Sequence, residues 1–197
     1  MEHNTLPITR IVLAVAVTLA VLFVPQWLRS RRRGGDQAAH ASAVLRENIL
    51  TRQFIAQFPP GKPGTPRCVL MDWNVGGSVA TLVAFDDGTV SLYLSSGGGI
   101  IGAGAHPNVA RAAAPFRQQA RAILSKLSPA TAFPLPGGNN NVVFYVVTDS
   151  VTLSSGEIDV GPSGLPASHP FADLLNSAQA LITEVRRASA SRTPSDE

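Results

Sequence analysis

The sequence predicts an α+β fold behind an amino-terminal single transmembrane helix. The expected body is one two-layer domain of about five mostly antiparallel strands with three helices, in the order α-βββ-α-ββ-α. Three observations predict it. A long apolar run ends in a cluster of arginines, two blocks of β-rich residues are folded back by aspartate and glycine turns, and three stretches carry apolar residues at three- and four-residue steps. Hairpins separated by helices favour an antiparallel sheet with the helices on one face.

The anchor comes first in the chain. The 18 residues between Arg10 and Arg29 carry no charge, within the ~17–25 that cross about 30 Å of hydrocarbon as a helix. Trp27 stands where an interfacial aromatic belongs, and Arg29, Arg31, Arg32 and Arg33 stop the run. The lipid bilayer is therefore an expected partner, contacted by residues 11–28. A cleaved signal peptide would need a small-x-small site soon after Val24, and the first is the distant Ala39-x-Ala41. A buried core helix is disfavoured because the run has no polar face. Four arginines on the carboxy-terminal side against Arg10 on the other place the domain in the cytoplasm. The same arginines can attract anionic head groups, but a stop-transfer flank explains them more simply. The expected organisation is 1–33 anchor and flank, 34–37 joint, 38–187 single domain and 188–197 disordered tail.

Net charge narrows the remaining partners. The chain is formally +3, with 16 basic and 13 acidic residues. Five of the basic ones (Arg10, Arg29, Arg31, Arg32, Arg33) and one acid (Glu2) precede Gly34, which leaves 11 basic against 12 acidic and a balance of −1. The basic character describes the membrane flank and gives no basic binding face, so nucleic acid is not an expected partner. A single cysteine, Cys68, excludes an intramolecular disulfide and a cysteine zinc site.

Element by element, Val44, Leu45, Ile49, Ile55 and Phe58 predict a helix from about Ala38 to Phe58, ended by Pro59, Pro60 and Gly61. Cys68–Val75 is the first strand. Ser78–Phe85 is apolar on both faces and so belongs in the middle of the sheet. Asp86-Asp87-Gly88 turns the chain into Thr89–Ser95, where Ser91, Tyr93 and Ser95 form a wetter face. A second helix is expected over about Pro107–Leu127, with Pro115 inside it as a kink or the true start. Val142–Val147 is a buried strand, turned at Asp149-Ser150 into a partner over about Val151–Glu157. The last helix, Pro170–Arg187, points Phe171, Leu174, Leu175, Ala178, Leu181, Ile182 and Val185 inward.

Gly97-Gly98-Gly99-Ile100-Ile101-Gly102 matches the G-x-G-x-x-G pattern after a strand. Such glycines let a backbone approach a phosphate at a following helix start, which makes Gly97, Gly98, Gly99, Gly102 and His106 the candidate ligand-binding residues. The context argues for a structural turn instead. The preceding strand belongs to a meander, the helix starts only near Pro107, and no ribose-binding acid ends a second parallel strand. His106-Pro107 and His169-Pro170 each precede a helix, where proline suits the first position and Ser168 can cap. Neither histidine has a third ligand at metal spacing, so no metal or cofactor is expected. Asp72 is expected to be an edge-strand acid paired with an arginine, and Asp86 and Asp87 are turn residues. There is no Gly-x-Ser-x-Gly elbow and no catalytic residue is assigned. Arg111, Gln118, Arg121 and Lys126 form the solvated face of the middle helix.

The stretches Val69-Leu-Met-Asp-Trp-Asn-Val-Gly-Gly, Ala80-Thr-Leu-Val-Ala-Phe-Asp-Asp-Gly and Ser91-Leu-Tyr-Leu-Ser-Ser-Gly-Gly-Gly-Ile-Ile-Gly, with the later His169-Pro170, resemble an uncharacterised bacterial protein family. The likeness covers about residues 67–185. It implies a self-contained domain and, with no activity assigned to that family, carries over no functional residue. The element order is also similar to profilin-like and roadblock-like adaptor domains, an analogy of topology alone. Together these features predict a membrane-tethered, non-enzymatic module that binds a protein partner or a second copy of itself. The alternative is an enzyme or sensor with an anion at the Gly97–Gly104 loop.

Overall fold

The computed structural model describes residues 37–190. The predicted span at 11–28, its flank Arg29, Arg31, Arg32 and Arg33, most of the joint, and tail positions 191–197 lie outside the described residues. In chain order the elements are α1 (37–50), β1 (Cys68–Val75), β2 (Ser78–Phe85), β3 (Val90–Leu94), β4 (Gly99–Ile100), α2 (Pro107–Ala122), β5 (Ser128–Pro129), β6 (Asn141–Val147), β7 (Thr152–Asp159) and α3 (Ala172–Ala190). The strands form one 7-stranded antiparallel sheet in the order β4-β3-β2-β1-β6-β7-β5. This confirms the α+β class with three helices and raises the strand number. The two added strands, β4 and β5, have two residues each, too short for any periodicity to reveal.

The predicted two-layer arrangement is corrected. One sheet face carries Val69, Met71, Leu82, Leu92 and Phe144 against Val109, Phe116 and Ala120 of α2 and Leu174, Leu181 and Val185 of α3. The other carries Leu70, Val83, Tyr93, Val143 and Tyr145 against Ile49 and Leu50 of α1 and Ile55. Helices therefore cover both faces. The physical reason lies in the strands: β1 and β2 are apolar on alternate and intervening positions alike, so a sheet open on one side would leave half of that surface wet. The side of β3 expected to be wetter is buried for the same reason, with Ser91 at 2% and Tyr93 at 7% exposure.

Helix ends also depart from expectation. α1 stops at residue 50, because Arg52 takes a left-handed φ of 66° and the chain continues in a short 3-10 turn, Ile55–Gln57. Its inward face is Leu45, Arg46, Ile49 and Leu50, while Val44 and Phe58 are exposed. α2 ends at Ala122 and a separate 3-10 turn covers Leu124–Lys126. Pro115 neither starts nor ends α2; it and Arg111, whose carbonyl loses its helical donor, lie on the exposed side. α3 begins two residues late and runs through Ala188, Ser189 and Ala190, which were expected in the tail. β7 extends to Asp159, two residues past expectation, and one of the two is absorbed by a bulge in which Ser155 and Gly156 together oppose Phe144.

Candidate functional site

The glycine segment is a β-hairpin turn. Gly97 N–H donates to the Leu94 carbonyl at 2.9 Å, and Leu94 N–H donates to the Gly98 carbonyl at 3.1 Å. Gly99 pairs with Tyr93 in β4, while Gly102 N–H reaches Ser91 Oγ at 3.4 Å. Gly98 has φ +85°, which strains any larger residue, while a Cβ on Gly99 would collide with the Leu92 carbonyl. Gly104 packs against the Gly88 carbonyl of the β2–β3 turn, joining two turns. His106 stands at the start of α2 with its backbone N–H on the Ala103 carbonyl and no side-chain capping bond. His169 differs: its Nδ1 accepts the Phe171 N–H at 3.3 Å, the capping role assigned to Ser168 by its position in the sequence. Among the described residues no three His, Cys, Asp or Glu side chains stand close enough together to hold a metal ion.

Asp72 is paired with an arginine as predicted, but in a central strand and fully buried. Arg46 of α1 donates Nε and Nη2 to Asp72 Oδ2 at 2.8 and 2.7 Å, and Thr81 donates to Oδ1 at 2.5 Å. The guanidinium also lies 5.6 Å from the Tyr145 ring centroid. Burial pushes the Asp72 carboxyl above its ordinary value, and the charge and hydrogen bonds of Arg46, then the Thr81 hydroxyl, pull it part of the way back. Both oxygens of this carboxylate are engaged internally, which makes it a clamp for α1. Sequence reasoning missed Arg46 because a lone arginine among apolar helix residues resembles any solvated charge.

Arg67, just before β1, ties the sheet's end together. It donates to Asp86 in one hairpin turn at 2.9 Å and to Asp149 in the other at 2.5 Å. The two acidic turns were predicted; the arginine that both face was not.

A groove of about 520 Å³ opens where the β3–β4 edge meets the far end of α3. Trp73, Leu92, Leu94, Ile100 and Ile182 line it, with Arg186 among the lining residues. Val75 and Leu94 are 52% and 38% exposed, so apolar surface continues to solvent. Trp73 is fixed there by its indole N–H, which donates to Asn140 Oδ1 at 3.1 Å. Of the five candidate ligand residues only Gly99 borders this groove. The walls offer hydrophobic contact and one cation, the chemistry of a docking groove. Comparison with known proteins finds no matching family model, no matching curated protein and no matching solved structure.

Proposed function

We propose that this chain is a membrane-tethered, non-enzymatic interaction module. Residues 11–28 anchor it in the bilayer, the arginine flank keeps the domain on the cytoplasmic side, and the groove beside β3 and β4 takes an apolar segment of a protein partner or a second copy of the chain. The observation that carries the reading is the groove itself, whose apolar lining reaches solvent at Val75 and Leu94. Two-residue edge strands offer little main chain for an added strand, which favours side-chain docking over strand addition.

Two measurements test it. The full-length chain is expected in the membrane fraction, resistant to carbonate and released by detergent; a mature amino terminus downstream of Arg33 overturns the anchor. In detergent, with Trp27→Phe leaving Trp73 as the only indole, self-association or partner binding is expected to shift Trp73 emission. Leu94→Glu is expected to abolish that shift while leaving the unfolding transition intact. Association unaffected by Leu94→Glu moves the interface elsewhere. A saturable thermal shift with nucleotide, abolished by Gly98→Ala, replaces the module reading with the ligand-sensing one.

A further inference from the structure

A second concavity, of about 100 Å³, lies at the opposite end of β1, between the sheet and α2. Its lining includes Arg67, Cys68, Asp86, Arg117 and Arg121. Arg67 is already neutralised by Asp86 and Asp149. Arg117 and Arg121, one helical turn apart on α2, have no ion pair among the described residues, and Arg117 Nη1 is buried without any hydrogen-bond partner there. A buried N–H donor with no acceptor carries a desolvation penalty, which an entering acceptor removes.

We propose that Arg117 and Arg121, with Arg67 in the wall, form a binding site for a phosphate group. Two unpaired guanidinium charges match a dianionic oxyanion, and their planar donors suit its oxygens pairwise. The size limits the ligand, since drug-sized molecules need roughly 300 Å³ or more: the cavity takes the phosphate, and whatever bears it stays outside. Burial, followed by the charges of Asp86 and Asp87, pushes the Cys68 thiol well above its ordinary value. The thiol therefore stays neutral, and the carboxylate in the lining, Asp86, is already paired with Arg67. The site is separate from both the glycine hairpin and the apolar groove.

The test is thermal unfolding of the full-length chain in detergent, titrated with inorganic phosphate or with glycerol 3-phosphate against chloride at equal ionic strength. A saturable rise is expected, of about 5–10 °C at a hundredfold excess over the dissociation constant. A stronger response to glycerol 3-phosphate identifies an esterified phosphate such as a lipid headgroup as the source; a stronger response to inorganic phosphate identifies the free ion. Arg117→Gln and Arg121→Gln are each expected to raise the half-saturating concentration at least about tenfold, while Gly98→Ala leaves it unchanged. Arg121 is exposed, so its variant keeps the test decisive if Arg117→Gln folds poorly. A response no larger than that to chloride, or one untouched by Arg121→Gln, overturns the proposal.

Discussion

Asp72 is the residue on which the α1 side of the sheet depends. Asp72→Ala removes both acceptor oxygens and leaves the Arg46 and Thr81 donors buried without partners, a loss that costs about 3–5 kcal/mol. Arg46→Met combined with Asp72→Leu is expected to recover most of it, because matched apolar groups avoid the desolvation penalty; denaturant unfolding of the three proteins checks both statements. Titration adds an independent reading. The folded-state value of Asp72 is raised, so between the ordinary carboxylate value and the raised one the folded protein holds the proton that the unfolded chain has lost. Wild type is therefore expected to lose stability relative to Asp72→Asn as pH rises through that window, with no further change above it. Glu157 has the opposite sign. Its carboxylate accepts from Gly138 N–H, the Asn141 amide and Gly137 N–H, which hold it below its ordinary value. The stability it contributes is present above the ordinary value and is lost as pH falls through the lowered one. Glu157→Gln is expected to remove that acid-side loss in the same pH series.

At the scale of the elements, the β3–β4 hairpin separates strain from collision. Gly98→Ala meets only an unfavourable φ in open space and is expected to cost about 1 kcal/mol. Gly99→Ala and Gly104→Ala drive a Cβ into the carbonyls of Leu92 and Gly88, and each is expected to cost at least about 2 kcal/mol by the same assay. The last helix behaves as its periodicity predicts: Leu175 is 2% exposed and Phe171 stacks on Phe144 at 6.2 Å between centroids. Truncating either to alanine is expected to cost ~2–5 kcal/mol. Much of this scale was legible in the sequence. β1 and β2 have the predicted bounds, since alternation and an aspartate–glycine turn are local signals. The pairing of β1 with β6 was not legible, because nothing local to Val142–Val147 says which strand it joins. The inward face of α1 was misread because its central contact is an arginine. For the candidate ligand set, glycine spacing fixes a turn whether or not a phosphate follows, so the sequence alone did not separate the two uses.

Within the described residues, the sheet needs α1 on one face as much as α2 and α3 on the other. A fragment starting at Pro59 would leave Asp72 without Arg46 and expose Leu70, Val83 and Tyr145 on one sheet face. It is expected to aggregate, whereas a fragment of residues 37–190 unfolds cooperatively; a soluble, cooperative 59–190 fragment would show that α1 is dispensable. Strand order has a further consequence, for the chain as it is made. β1 gains β2 along one edge almost at once, but its other edge waits for β6. Roughly 65 residues must be added in between, several seconds of synthesis at about 5–20 residues per second. During that interval the ribosome carries a highly apolar strand with an open row of main-chain donors and acceptors. The nascent protein is then most exposed to chaperones and to wrong neighbours, and slowing translation after Val75 is expected to lower its yield more than slowing it after Val147.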